Sequence, residues 1–351
     1  SRGCWWGERA HCTFCGLNGM SMGYRAMNPD LALKQFESLF EFAPNVSRLE
    51  AVDNILPKNY LQEVLPFVKT PEGMTIFYEV KADLSESDVQ VLAKARVKFI
   101  QPGIESLATS TLKLMKKGTT AFRNLALMKD CAVYGIEPAW NLLIGFPGEG
   151  EDVFRKYIDD LPLLVHLPPP SGVYPVRFDR YSPYFMKSKE YGLDLHPLDY
   201  YSLIYPFPEE ALDNLAYYFA DTNTDAPYAQ TVSKWIGKIR EKIDHWITAW
   251  RNGPPPKLVL SGTGDESTII DSRSGEVKEY HVGAIGSRIL KVLADKPKRV
   301  GDVARECSDV AGFDARKEVA GLREKGLLFQ EEDRYLSLVI DGAKLNGHLR
   351  A

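Results

Sequence analysis

The sequence predicts an α/β protein: a parallel-sheet core over residues 1–185, an aromatic-rich helical extension over 186–252 and a small α+β unit over 257–340. Three observations carry this. Short runs rich in β-formers alternate with helix-length amphipathic segments as far as residue 185. "NGPPPK" at 252–257 is a stiff break, because consecutive prolines stay extended and cannot continue a helix. Beyond it, three turn-separated alternating runs precede three helical segments and a hairpin.

In chain order, the strand candidates of the core are "RLEAVDN", "TIFYEVKA", "KFIQPGIE", "AWNLLIGF" and "VYPVRFDRY". Helices are expected over Pro29 to Phe42, Pro57 to Val68, Glu86 to Ala95, Leu107 to Tyr134 in two pieces, and Glu151 to Leu164. Strands separated by helix-length crossovers pair in parallel with helices outside, and a barrel or an open sheet satisfies that pattern equally. Ten of the 17 tyrosines fall between Tyr174 and Tyr228, and the amphipathic "VSKWIGKIREKIDHWITAW" follows; these rings read as the cover of an apolar edge of the core. In the last unit "KLVLS", "STIIDS" and "EVKEYHV" read as an antiparallel meander. Helices over Ala284 to Ala294, Val300 to Cys307 and Asp314 to Lys325, stopped by Gly326, then lead to a hairpin turning at Glu331 to Asp333. Three helices and a hairpin are a winged-helix order.

A chain of 351 residues with 44% hydrophobic residues supports a sizeable core and more than one domain. The longest apolar candidate, "LPLLVHLPPP", is cut by His166 and three prolines, so a membrane role is unsupported. A net charge of -4 argues against general nucleic-acid binding. Residues 283–340 carry 11 Lys/Arg and 10 Asp/Glu, too balanced a face to neutralise phosphates. Five cysteines, an odd number, do not resemble a secreted disulfide framework, and a reducing cytoplasm is expected. Starting at Ser1 with the first cysteine at position 4, the chain reads as a fragment of a longer protein.

Cys4, Cys12 and Cys15, spaced C-x7-C-x2-C, are the chemical centre of the sequence. Thiolates are soft ligands for zinc, copper(I) or iron-sulfur clusters. A structural zinc needs a fourth ligand, for which His11 is the candidate, and no second ligand pair follows. Three cysteines alone are what a 4Fe-4S cluster needs when one iron stays open to a substrate or cofactor. Cys131 and Cys307 stand alone and read as buried thiols.

These cysteines, with Phe14 before the last, resemble the cluster loop of the radical S-adenosylmethionine (SAM) superfamily, and "AVDN", "QPGIES" and "LLIGFPGE" resemble the strand-end motifs of its cobalamin-dependent branch. The first spacing is seven residues where the superfamily usually has three. The longer loop is similar to that of enzymes maturing ribosomally made peptides, many regarded as C-methyltransferases. The resemblance implies a partial (β/α)6 TIM-like barrel. It also implies a 4Fe-4S cluster on Cys4, Cys12 and Cys15, SAM cleaved to a deoxyadenosyl radical, and cobalamin held by a domain this chain lacks. A precursor peptide with a leader and a reductase or other low-potential electron donor would be its partners.

Strand parity nominates further contacts near the carboxyl ends, where parallel barrels hold ligands. Phe77, Glu79 and Lys81 share one face, as do Phe99, Gln101, Gly103 and Glu105. Asp53 and Asn54 end the first strand where the family binds the methionine amine, and Asn141 begins "NLLIGFPGE", whose Leu143 and Ile144 are candidates to flank adenine. Trp5, Trp6 and Phe14 would shield the cluster, while Arg177, Arg180 and Tyr181 would bind a carboxylate or close the barrel's edge. The hairpin edge of the last unit is expected to take the leader as an added strand. Two competing readings remain: a peptide epimerase or crosslinking catalyst of the same superfamily, and a zinc-stabilised winged-helix regulator using Cys4, His11, Cys12 and Cys15.

Overall fold

The computed structural model describes residues 1–43, 45–309 and 313–345 of the chain. A short helix α1 (Trp5–Arg9) precedes α2 (Pro29–Phe40), where Asn28 accepts from the Asp30 amide at 2.9 Å and caps a helix that Pro29 begins. Next come β1 (Arg48–Glu50), α3 (Tyr60–Glu63), β2 (Thr75–Val80), α4 (Glu86–Lys94), β3 (Val97–Pro102), α5 (Thr109–Leu114) and α6 (Ala121–Tyr134). They are followed by β4 (Glu137–Pro138), β5 (Leu142–Ile144), α7 (Glu151–Asp160) and β6 (Val173–Pro175). The expected helix over Pro57 to Val68 shortens to α3 and a 3-10 turn at Leu65–Phe67, because Pro66 removes a helical donor. Ser85 and Asp88 form a reciprocal capping box at the start of α4.

β1 to β4 pair in parallel in chain order and β5 pairs in parallel with β6. In place of the expected six-stranded arc, the described residues form five passes of chain lying in two sheets. β4 and β5 are halves of one pass of chain. The Ala139 amide still reaches Ile100 O at 2.8 Å, but the chain then leaves the ladder, and Trp140 turns inward to give its indole N–H to Pro168 O at 3.1 Å. The Leu143 amide recovers the neighbour at Glu105 O, 2.8 Å away. In β2, Ile76, Tyr78 and Val80 are buried under the helices while Phe77 and Glu79 face the concave side.

The extension departs from the purely helical reading. The last expected core strand breaks after Val176, and its second half, β7 (Phe178–Asp179), joins an antiparallel sheet of order β7-β9-β8. Between β7 and the long helix α11 (Pro227–Arg251) lie α8 (Pro183–Met186), β8 (Leu195–Pro197), α9 (Tyr200–Ile204), α10 (Glu209–Leu215) and β9 (Tyr218–Asp221). The break follows from Arg177, which pairs with Asp179 at 2.8 Å and lies 3.7 Å from the Tyr218 ring, turning the chain toward β9. Tyr184 and Tyr201 are buried with Phe178 and Phe219 in a second small core. Trp246 of α11 is fully buried against Trp140 at 6.1 Å and donates to Leu167 O at 2.7 Å, joining α11 to the main core.

In the last unit β10 (Leu258–Ser261), β11 (Thr268–Asp271) and β12 (Lys278–His281) form the meander. α12 (Gly283–Val292), β13 (Lys298–Arg299), α13 (Val300–Glu306), α14 (Ala315–Glu324), β14 (Leu328–Glu331), β15 (Arg334–Ser337) and β16 (Ile340–Asp341) follow. β13 and β14 flank β15, and β16 returns to pair in parallel with β10. The hairpin edge expected to take a peptide is covered. β14 buries Leu328 and Phe329, and Phe329 packs edge-on against Phe122 of α6 at 5.4 Å. Glu331, at the hairpin tip, accepts from the Thr109 amide at 2.8 Å and from its hydroxyl, capping α5. The exposed edge strand of the meander is β12. No described helix is long and apolar enough to cross a membrane.

A cavity of about 830 Å³ lies between α6 and this unit, lined in part by Lys129, Asp130, Asp295 and Arg334. Lys129 donates to Ala294 O at 2.9 Å and Ser337 O at 2.8 Å. Burial, followed by the charge of Glu86, raises the Asp130 carboxyl from 3.8 to about 7. The folded state therefore keeps this proton when the unfolded state has lost it, so stability falls as pH rises from about 4 to about 7 and then levels. Asp130→Asn removes that penalty. It is expected to be more stable than the parent by about 2 kcal/mol at pH 8 and indistinguishable at pH 4, by urea unfolding at both.

Candidate active site around the cysteine loop

Residues 2–25 close on themselves through paired backbone hydrogen bonds between Arg2 and Arg25, of 2.8 and 2.9 Å. The long first spacing between cysteines is filled by α1. Cys4 is its N-cap, with Sγ accepting from the Gly7 amide at 3.3 Å, so the helix folds the intervening residues into a compact turn. Cys12 and Cys15 share a tight turn closed by the Cys15 amide on Cys12 O at 3.1 Å. Thr13 between them is clamped by α5: its hydroxyl donates to Leu114 O and its amide to Met115 O, both at 3.0 Å. Trp5 and Trp6 fasten α1, giving their indole N–H groups to Leu56 O at 3.2 Å and Lys116 O at 3.1 Å. Gly118, with φ +64°, leaves room for the Trp6 ring, which a Cβ there would meet at 2.1 Å.

Burial pushes the Cys12 thiol up, opposed by Lys117, and burial together with the Cys12 charge pushes Cys15 up to about 11. Ligation must therefore displace protons from both. Among the described residues no three His, Cys, Asp or Glu side chains close on one point as a single metal ion requires. His11 Nε2 instead lies 2.7 Å from Cys15 O, so the four-ligand zinc set is not assembled. Three thiols spread over one loop suit a multi-iron cube, in which each cysteine holds a different iron. The donor set thus fits a 4Fe-4S cluster. Cys131 and Cys307 are free, buried thiols elsewhere.

The carboxyl ends of β2 and β3 face this loop. Lys81 is buried, bound to Asp83 at 3.2 Å and Gly118 O at 3.4 Å, with its ammonium 4.5 Å from the Trp6 ring centroid; burial lowers its pKa. Glu105, at φ +57°, meets Lys117 at 3.1 Å. Phe14 packs edge-on to Phe146 at 5.8 Å. Ser1 lies against Asp53, and Asn54 donates to Asn18 Oδ1 at 2.9 Å, so the "AVDN" end touches the cysteine loop. Glu79 and Gln101 are register partners deeper on the concave face, and burial raises the Glu79 carboxyl. Asn141 is exposed.

Ile144 behaves differently from the expectation. It has no exposed surface and lies in the helix-covered core, so Leu143, on the opposite face and packed in the cluster with Phe14, is the member of the pair directed to the site. Arg177 and Arg180 are occupied structurally: Arg180 donates to Ala216 O at 2.6 Å and lies 5.1 Å from the rings of both Phe185 and Phe219. Tyr181 sits at φ +69° in the same corner.

Sequence reasoning missed three residues. Two are Lys117, which pairs with Glu105, and Thr13, which fastens the cysteine turn to α5. Glu149 ends "GFPGE", yet it organises that loop: buried, it accepts from the Gly145 amide at 2.5 Å, the Phe146 amide at 3.2 Å and the Thr111 hydroxyl at 2.5 Å. An acidic residue closing a glycine-rich turn was the available signal.

Residues 1–161 match the family model of the radical SAM superfamily. No curated protein matches the chain in sequence. Among solved structures, the radical S-adenosylmethionine methyltransferase TsrM from Kitasatospora setae with tryptophan substrate and aza-SAM bound is 18% identical, with TM-score 0.51 over 69% of this chain and 51% of that one. The same enzyme with cobalamin and [4Fe-4S] cluster bound is 20% identical, with TM-score 0.45 over 56% of this chain and 38% of that one. The cobalamin-dependent S-adenosylmethionine radical enzyme OxsB with aqua-cobalamin bound is 16% identical, with TM-score 0.38 over 92% of this chain and 44% of that one. The chain spans about half or less of the length of these structures, and at such identities the first of them shows a shared fold.

Proposed function

We propose that this chain, whose residues 1–161 match the radical SAM superfamily model, is a radical SAM enzyme that holds a 4Fe-4S cluster on Cys4, Cys12 and Cys15 and cleaves SAM to methylate carbon in a ribosomally synthesised peptide. Cobalamin would be supplied by a domain or partner beyond this chain, and electrons by a reductase or other low-potential donor. The single observation that carries the reading is the loop itself: three thiols fastened at the carboxyl ends of β2 and β3, beside Lys81, Glu105 and Lys117. When bound, the cluster supplies one electron for breaking a carbon-sulfur bond of SAM.

The chain's own residues orient and shelter that chemistry. Cys4, Cys12 and Cys15 would hold the cluster and, as only three protein ligands, would leave it able to bind SAM. Asp53, Asn54, Glu79, Lys81, Gln101, Glu105 and Asn141 offer polar contacts along the rim and concave face, and Phe14 with Leu143 provides an apolar wall for adenine. Trp5, Trp6 and Phe146 keep water from the loop. Tyr174 and Val52, 49% and 79% exposed, are the apolar surface a peptide would meet at the rim. For the C-terminal unit, read as a meander with a winged helix, near-neutral charge favours a peptide over DNA, and β12 offers the unpaired strand edge for a leader.

Anaerobic reconstitution is expected to give a brown protein with about four irons and four sulfides that releases 5'-deoxyadenosine on strong reduction. A colourless protein with stoichiometric zinc overturns the reading. With the precursor peptide and methylcobalamin, mass spectrometry is expected to show a gain of about 14 mass units per methyl group. An unchanged mass with inverted stereochemistry, or loss of two hydrogens, would assign epimerisation or crosslinking instead. Leader binding is expected to slow amide exchange in 278–281; unprotected amides there exclude β12 as the docking strand.

A further inference from the structure

Two adjacent lysines with opposite fates follow α5. Lys116 adopts φ +53° and stays exposed, and this left-handed step turns the next residue back over the cysteine loop. The Lys117 amide closes on Leu112 O at 3.0 Å, and only 14% of its side chain is exposed. Its ammonium lies 3.1 Å from Glu105 Oε1 and 5.5 Å from the ring centroid of Phe14, the residue between Thr13 and Cys15. The chain just past β3 leaves room for it: a Cβ on Gly103 would sit 2.5 Å from Lys117 Nζ and 2.9 Å from Cε. Glu105 reaches its partner only by adopting φ +57°, a conformation costly for a residue with a side chain. Two left-handed non-glycine residues and one missing side chain thus converge to hold a single ion pair against the loop of Cys12 and Cys15.

We propose that Lys117 is a positioning residue that fixes a positive charge beside the thiolates of Cys12 and Cys15 and, with Glu105 as its counterweight, sets how readily the cluster accepts an electron. The inference rests on the cluster assigned above. Reduction adds one negative charge to the ligated site. A cation held nearby in a poorly solvated position stabilises the reduced form, and a carboxylate opposes it. The pair therefore works in two directions: losing the lysine makes reduction harder, and losing the glutamate makes it easier.

The test is the midpoint potential of the full chain, reconstituted anaerobically and followed by electron paramagnetic resonance during redox titration. Lys117→Met is expected to lower the reduction equilibrium roughly tenfold, about 59 mV for one electron, and Lys117→Arg to restore it. Glu105→Gln is expected to raise the potential by a similar amount. Should Lys117→Met fail to load iron, the direction of the Glu105→Gln shift decides alone. Potentials unchanged in a loaded parent and its variants, or shifts of the same sign in Lys117→Met and Glu105→Gln, overturn the proposal while leaving the cluster in place. A parent chain that assembles no cluster at all overturns the functional reading and this inference together.

Discussion

Cys12→Ala is expected to fold and yet hold less than about one iron per chain, with deoxyadenosine release falling to background. Cys12 sits in the turn that Thr13 clamps to α5, at 9% exposure, and no other thiol shares that turn except Cys15. Alanine fills most of the space and removes only the donor, so thermal stability should change by less than about 1 kcal/mol. Cys131→Ala is the matching control. That thiol is fully buried on α6 in the main core, and its loss should leave iron content intact while costing about 1 kcal/mol of stability. Iron and sulfide assays with chromatographic detection of deoxyadenosine check both variants; normal iron in Cys12→Ala would remove this cysteine from the ligand set.

Glu149→Ala should produce the largest loss among residues that hold no iron. Three donors converge on this carboxylate, from Gly145, Phe146 and Thr111, and all three lie in buried surroundings. Truncation leaves them unpaired at a cost of about 1 kcal/mol or more each, so about 3 kcal/mol in urea unfolding is expected. The loop carries Phe146, against which Phe14 packs, and it follows Leu143, so its release also loosens the proposed adenine wall. SAM affinity measured by equilibrium dialysis should fall about tenfold even in the folded fraction. Full affinity in Glu149→Ala would separate this loop from the cofactor.

How much of this was legible follows from what each residue can do alone. The parallel strands were visible because β-branched and aromatic residues cluster at strand length, and the cysteine loop because thiols at that spacing have few other uses. The division of one strand into β4 and β5 was not, since it depends on Trp140 finding a carbonyl in the chain after α7. Lys117 was hidden for a related reason: beside Lys116 it has the composition of a solvated pair, and only backbone twist distinguishes them. The assignment of both Leu143 and Ile144 to one ligand was correctable from sequence, because neighbours on a strand face opposite ways. The covered edge of β14 was beyond reach, as it is set by packing on α5 and α6, more than 190 residues earlier in the chain.

α5 is only six residues long, and it is held at both ends by other parts of the protein. The hairpin tip grips its first residue through Glu331, and its last carbonyls grip Thr13 inside the cysteine loop. A strut loaded at both ends transmits slack. Cutting away residues 257–351 would free the far end, so a truncated chain that bleached in air or lost its colour would be reporting a loosened mount and not a vanished docking partner.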